Sequence, residues 1–132
     1  MPQEDAVATE LTFSRLVADM SGGSRFESIT VPVTLQQFAP PAQPFSVSSL
    51  QQASHCGFLH LPVGWVGEAH PSPIRMWIFV LQGQMRFEAS DGESRDIFPG
   101  SGLLLEDTHG LGHNSCVLGN EPATLAAVRL PE

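Results

Sequence analysis

Residues 74–92 read IRMWIFVLQGQMRFEASDG, and this stretch decides the fold. Its first part, residues 74–81, is mostly apolar and rich in β-branched and aromatic side chains, which is typical of a buried β-strand. A glycine ends the run, and residues 85–89 resume an alternating strand pattern. Asp91 and Gly92 then form the dipeptide that tight hairpin turns prefer. The stretch predicts two successive strands, the second of which turns back at the Asp-Gly pair.

The same series of short strands and turns extends over most of the chain. Eleven prolines and twelve glycines in 132 residues interrupt long helices and fall between apolar segments. Short strands at this spacing are typical of a sandwich or barrel, so the predicted class is all-β. Beyond the opening stretch we predict strands over residues 26–35, 47–50, 57–61, 95–98, 103–106, 113–118 and 123–130.

One segment near the amino-terminal end departs from this series. A Ser-Gly-Gly-Ser run stops it, and its apolar residues recur at close to helical spacing: Leu11, Leu16, Val17 and Met20. We predict a short helix here. Residues 1–25 are accordingly predicted to be an appendage with a helix, and residues 26–132 a single barrel domain.

Charge and composition exclude several classes of partner. All six basic residues are arginines and stand against fourteen acidic residues, for a net charge of −8. Such a chain repels phosphate backbones and anionic membranes, so we expect neither nucleic acid nor membrane as a partner. No apolar run is long enough to span a bilayer, and the acidic amino-terminal sequence differs from a signal peptide. The predicted location is cytoplasmic.

The amino-acid inventory also narrows the catalytic chemistry. The chain contains no lysine and no tyrosine, which excludes Schiff-base formation and phenolic acid catalysis. Proton transfer would therefore fall to His, Asp, Glu or Cys side chains. Cys56 and Cys116 are too few for a disulfide framework, and we expect two reduced thiols.

Two spaced motifs lie on the strand series. The pattern G-x5-H-x-H-x3-E-x6-G is matched at three of its fixed positions, by Gly64, His70 and Gly83. The pattern G-x5-P-x-G-x2-H-x3-N is matched by Gly102, Gly110 and His113. With these motifs, residues 57–130 resemble the small single-domain cupins. The resemblance implies a cupin double-stranded β-helix, that is, a jelly-roll barrel.

The positions that depart from the cupin motifs concern the metal site that the resemblance implies. In cupins two histidines and a glutamate of the first motif and the histidine of the second hold a divalent metal. Here Ser72 replaces the second histidine and Met76 replaces the glutamate. Two imidazoles alone make a poor site for a divalent transition metal, so we expect no cofactor. The alternative is a divalent metal held by His70, His113 and a recruited third ligand, His60.

Strand alternation predicts which side chains line the barrel. If the two motif histidines face inward, residues at the same parity on their strands do so as well. The interior then combines imidazoles and hydroxyls with apolar walls, which is typical of sites for small organic molecules. The predicted ligand-binding residues from alternation are Ser72, Met76, Ile78 and Ser115. We add His60 from the preceding strand and Trp65 from the loop that enters the first motif, where its ring either stacks on a flat ligand or only packs.

Two classes of function fit these residues. The first is a metal-independent isomerase, cyclase, dehydratase or lyase in which His70 and His113 exchange protons with a small molecule. The acidic pair Glu106-Asp107 either caps a loop or supplies a carboxylate that orients His113, and we assign that role to Glu106. The second class is a cupin that binds a small molecule without catalysis or only forms a structural dimer.

The opposite face of residues 74–81 predicts a partner. Arg75, Trp77, Phe79 and Leu81 share a parity and form a largely apolar outer face. The amino-terminal segment or another subunit must cover such a face. Because cupins commonly pair, the resemblance favours a homodimer.

Overall fold

The structure is a computed structural model that describes residues 9–132. All regular structure in this range is β, which confirms the predicted class, and no helix there could span a membrane. The strands are β1 (Glu10–Ala18), β2 (Ser24–Pro32), β3 (Thr34–Gln36), β4 (Phe45–Val47), β5 (His55–Leu61), β6 (Val66–His70), β7 (Met76–Gln82), β8 (Gln84–Ala89), β9 (Ser94–Ile97), β10 (Gly102–Glu106), β11 (His113–Leu118) and β12 (Ala123–Arg129).

The strands form two main sheets with a core between them. The six-stranded sheet has the order β2-β1-β10-β7-β12-β5, and the four-stranded sheet has the order β6-β11-β8-β9. All neighbours within these sheets are antiparallel except β1 and β10. β3 and β4 pair separately. Leu103 and Leu125 from the larger sheet pack with Phe87 and Val117 from the smaller one, so the inner faces close a single core.

The opening stretch of sequence supplies one strand to each sheet. In β7, Ile78 and Val80 are buried in the core, while Trp77 and Phe79 stack on the outer face with ring centroids 5.4 Å apart. The chain crosses to the smaller sheet at Gly83. This residue has a positive φ, and a Cβ there would lie 2.5 Å from the carbonyl oxygen of Pro122. The crossing therefore requires glycine for both conformation and space.

The predicted amino-terminal helix is wrong, because the segment forms strand β1 instead. β1 pairs with β2 along its whole length and runs parallel to β10. Leu16 is fully buried in the core, whereas Phe13 packs edge-on against Trp77 on the outer face. Apolar residues on both faces of one strand hide the period of two that identifies a strand in sequence. The predicted boundary after residue 25 falls within β2, and residues 1–8 of the predicted appendage lie outside the described residues.

The segment between the strands predicted over residues 57–61 and 74–81 contains a further strand. β6 occupies Val66–His70 and pairs with β11, so His70 ends a strand rather than lying in a loop. β6 forms the edge of its sheet and is exposed over most of its length. An exposed edge strand carries little hydrophobic pattern, which explains why the sequence did not reveal it.

If β1 is part of the core, its buried side chains should support the whole fold. Leu16→Ala should lower the free energy of unfolding by about 2–5 kcal/mol, because it leaves a cavity between the sheets. Leu11→Ala, at a partly exposed position of the same strand, should cost less than about 1 kcal/mol. Urea unfolding followed by fluorescence measures both. Equal losses for the two variants would contradict the structural role of β1.

Candidate functional site

A cavity of about 290 Å³ lies between the two sheets. Its volume is at the lower end of the range for small-molecule sites, which suits a compact ligand. Four polar side chains reach it, those of His70, Ser72, His113 and Ser115. The rest of the wall is apolar and includes Leu61, Trp65, Met76, Ile78, Phe87 and Leu105. The cavity thus combines a few polar groups with apolar walls.

The two histidines meet where β6 ends and β11 begins. His70 and His113 are cross-strand partners, and their ring centroids lie 5.3 Å apart at an angle of 47°. His113 is 4 % exposed, whereas His70 is exposed. Gly112 has a positive φ and lies against the backbone carbonyl of His70, where a Cβ would collide. Glycine before His113 therefore permits the close approach of the two strands.

Asp107 holds the inner imidazole in place. Its Oδ2 lies 2.6 Å from Nδ1 of His113, and its side chain is fully buried. A carboxylate oxygen only accepts hydrogen bonds, so Nδ1–H of His113 donates to Asp107. Asp107 does not line the cavity although His113 does. The hydrogen bond therefore leaves Nε2 of His113 as the ring nitrogen that faces the cavity.

His70 is oriented by its own strand. Its Nδ1 lies 2.7 Å from the backbone carbonyl oxygen of Glu68. A carbonyl oxygen only accepts hydrogen bonds, so Nδ1 must carry the proton and donate. Glu68 is not part of the cavity wall, whereas His70 is. Both histidines thus use Nδ1 outside the cavity and present the opposite side of the ring to it.

The loop that carries His113 rests on the β1–β2 turn. The backbone N–H of Leu111 donates to the carbonyl of Gly22 at 2.8 Å, and the Ser24 hydroxyl donates to the carbonyl of Gly112 at 2.7 Å. Gly110 has a positive φ and lies so close to Gly22 that a Cβ would collide with its carbonyl. The amino-terminal hairpin, formed by β1 and β2, therefore holds in position the loop that precedes His113.

Asp19 organises this turn locally. Its Oδ1 accepts hydrogen bonds from the Ser21 hydroxyl at 2.7 Å and from the backbone N–H groups of Ser21 and Gly23, each at 2.9 Å. These bonds, the one from the Ser21 hydroxyl foremost, favour the charged form and lower the pKa of Asp19. The turn thus has its own network of hydrogen bonds, and its backbone groups remain free to contact the loop before β11.

Five of the six predicted ligand-binding residues lie on the cavity wall. Trp65, Ser72, Met76, Ile78 and Ser115 all line it. The Ser72 hydroxyl donates to the carbonyl of Ile74 at 2.7 Å, so it offers only lone pairs to a ligand. Ser115 is buried on the same face of β11 as His113. Alternation along β7 accounts for Met76 and Ile78, and alternation along β11 accounts for Ser115.

His60, the sixth, does not reach the cavity. It is exposed, and its Nδ1 lies 3.1 Å from the hydroxyl of Thr124. On β5 the alternate residues Leu59 and Leu61 line the cavity, so His60 points to the other face of that strand. The structure therefore does not bring His60, predicted as a ligand-binding residue or recruited metal ligand, together with His70 and His113.

Glu106 does not orient His113 either. Its carboxylate is engaged by two arginines, with Oε2 2.6 Å from Nε of Arg75 and Oε1 3.3 Å from Nε of Arg15. Consecutive residues at a strand end point to opposite sides, so only one of the acidic pair can reach the core. Asp107, which the sequence raised as the other member of the pair, is the one that contacts His113.

The donor set does not fit the divalent metal that the resemblance implies. Only two imidazoles converge at the motif positions, and the Ser72 hydroxyl is engaged with a backbone carbonyl. Met76 offers a thioether, which suits a hard divalent ion poorly. Within residues 9–132, no group of three or more His, Cys, Asp or Glu side chains is placed to hold a metal ion. The residues present therefore do not fit a divalent metal ion.

Removal of the Asp107 carboxylate should destabilise the protein more than removal of an exposed carboxylate. Asp107→Ala leaves the buried Nδ1–H of His113 without a partner, at an expected cost of about 1–3 kcal/mol. Asp96→Ala is the matched control, because Asp96 pairs with Arg86 on an exposed surface and should contribute little. Urea unfolding of both variants compares them. Equal losses would mean that the buried hydrogen bond does not hold the site together.

Comparisons with known proteins agree with the fold. No protein-family model matches the chain, and no curated protein matches it significantly. The cupin domain of Cnp3 from Schizosaccharomyces pombe is similar in structure, with a TM-score of 0.50 and 11% sequence identity over 98% of this chain and 89% of that one. Protein NMB1881 from Neisseria meningitidis has a TM-score of 0.43 and 16% identity over 58% of this chain and 72% of that one. The chain has the cupin fold, as its two sequence motifs implied.

Proposed function

We propose that the protein binds a small, largely apolar organic molecule in the cavity and transfers protons to and from it without a metal. The observation that carries this proposal is the buried contact between Asp107 and His113 beside an apolar cavity. An imidazole takes up and releases protons near neutral pH more readily than any other side chain. A carboxylate behind it holds one tautomer and stabilises the imidazolium that forms during transfer.

The two histidines have different access to solvent, which supports different roles. His113 is almost fully buried within the cavity, so a proton taken by its Nε2 comes from the ligand. His70 is exposed, so it can exchange protons with water and return one to the ligand. Such a pair of groups suits isomerisation, cyclisation, dehydration or elimination, each of which requires removal and return of protons on one molecule.

The test of this proposal begins with the molecule that the protein retains. Native mass spectrometry of protein purified without a histidine tag should show a bound small molecule. In D₂O the wild type should exchange carbon-bound hydrogen of that molecule for deuterium, as measured by NMR. His113→Asn should slow this exchange about 10²- to 10⁴-fold, the usual contribution of a general base. His60→Asn, outside the cavity, is the control and should leave the rate unchanged.

The possible results separate catalysis from simple binding. A retained molecule that shows no exchange above the solvent rate would contradict catalysis and leave a carrier or sensor function. An equal rate for the wild type and His113→Asn would contradict the role of His113. Protein that retains no molecule, and binds none from a panel of small apolar compounds, would contradict the proposal as a whole.

We also propose that the chain forms a homodimer through the outer face of the six-stranded sheet. Two large apolar side chains on this face, Phe58 and Leu81, are 72% and 52% exposed. They continue a surface that contains Phe79 and an apolar groove of about 530 Å³ beside it. Exposed apolar patches of this kind are typical of interfaces. A two-fold axis would place the patch against its own copy.

The dimer can be tested by placing charge on this face. Phe58→Asp combined with Leu81→Asp should convert a dimer into a monomer, because burial of two carboxylates in an apolar interface is unfavourable. Val63→Asp is the control, since Val63 is similarly exposed but lies in the loop after β5. Sedimentation velocity measures the mass in each case. A monomeric wild type would contradict the proposal.

The two cysteines of the chain bear on its cellular location. Cys56 and Cys116 are both free. Free cysteines are typical of reducing compartments. We therefore propose that the protein acts in the cytoplasm.

A further inference from the structure

The contacts outside the cavity determine what the two histidines offer inside it. Nδ1 of His70 donates to a backbone carbonyl, and Nδ1 of His113 donates to the Asp107 carboxylate. A neutral imidazole that carries its proton on Nδ1 has a lone pair on Nε2. In its neutral form each ring therefore presents a hydrogen-bond acceptor, not a donor, to a ligand. The polar end of the cavity is thus a pair of acceptors on rings 5.3 Å apart.

Within residues 9–132, no arginine side chain lines this end of the cavity. The chain contains no lysine. Arg15 and Arg75 form ion pairs with Glu106, and none of these three residues lines the cavity. The carboxylate of Asp107 lies behind His113, with Oδ2 2.6 Å from Nδ1 of that ring. An anionic ligand would meet two lone pairs and no cation, so the cavity disfavours it.

We propose that the ligand is a neutral molecule with two neighbouring hydroxyl or N–H donors on a compact apolar body. This inference rests on the proposed function and specifies its ligand class. Two adjacent donors satisfy both Nε2 atoms at once, while the body packs against the Leu61, Met76 and Ile78 side of the wall. The Ser115 hydroxyl can donate or accept and so tolerates a further polar atom. The volume of about 290 Å³ suits a body of about one ring.

The same arrangement identifies the proton that moves. The ligand group that donates to Nε2 of His113 is the one that His113 deprotonates. Its O–H or N–H bond breaks, the electron pair stays on the ligand atom, and a new N–H bond forms on Nε2. The resulting imidazolium lies against the Asp107 carboxylate, which balances its charge.

A matched series of probes tests the requirement for two donors. Catechol, 2-methoxyphenol and 1,2-dimethoxybenzene share one ring and offer two, one and no hydroxyl donors. Binding is followed by NMR through the ring Hε1 signals of the five histidines. Those of His70 and His113 should shift, and the other three (His55, His60 and His109) serve as internal controls. Each lost donor should weaken binding roughly 2- to 10-fold, and benzoate, an anion, should bind more weakly than catechol.

The His70→Ala variant tests whether the second donor of the ligand binds to His70. In His70→Ala, catechol should lose its advantage over 2-methoxyphenol, whereas His60→Ala should preserve the wild-type series. Equal affinities for the three neutral probes, with shifts at His113, would overturn the donor inference and leave apolar binding in the cavity intact. Tighter binding of benzoate than of catechol would also overturn it. If no probe shifts His70 or His113, both this inference and the proposed function are contradicted.

Discussion

The hydrogen bond between Asp107 and His113 is the interaction on which the site depends. A fully buried carboxylate is tolerated only where it has a partner, and Nδ1–H of His113 is that partner. Asp107 follows the last residue of β10 in one sheet, and His113 is the first residue of β11 in the other. The bond therefore joins the two sheets at one end of the barrel. The backbone carbonyl of Asp107 also accepts a hydrogen bond from the backbone N–H of Ser72 at 2.9 Å. This bond brings the segment before β7 to the same end of the barrel.

The amino-terminal hairpin is part of this arrangement. Its turn contacts the loop between Asp107 and His113 through Gly22 and Ser24. These contacts leave the loop little freedom, so the imidazole is held from both sides, by a carboxylate and by a supported backbone. Preorganised groups of this kind transfer protons without the cost of rearrangement at the moment of reaction. The hairpin thus links the packing of β1 to the geometry of the candidate site.

At two positions where the cupin motif has metal ligands, this chain has a serine and a methionine, which make the cavity less charged than a metal site. Met76 contributes an apolar wall where the cupin pattern has a carboxylate, and the Ser72 hydroxyl is directed to a neighbouring carbonyl. Fewer charged groups then compete for a ligand, and the two imidazoles become the main polar features of the interior. In apolar surroundings a hydrogen bond to such a group is stronger than in water. The residues at these two motif positions therefore explain both the poor fit to a metal and the prominence of the imidazoles in the proposed proton transfer.

The sequence by itself determined most of the strand series, the two motifs and the expectation that His70 and His113 share one site. It also predicted that Met76 and Ile78 on one strand and Ser115 on another line the cavity, because alternation along a strand is a local property of the backbone. Only the tertiary structure decided between Glu106 and Asp107. Alternation is relative, and which member of an adjacent pair points inward depends on how its strand packs.

The strand identity of β1 was likewise decided by tertiary structure. Its neighbours in the sheet are β2 and, from a distant part of the chain, β10. Hydrogen bonds and packing with those partners outweigh a local pattern that resembled a helix, as tertiary context commonly does. Tertiary structure also decided on which face of β5 His60 lies, because that face follows from the register of β5 with β12. Local pattern thus determined which residues could form a site, and long-range packing determined which of them do.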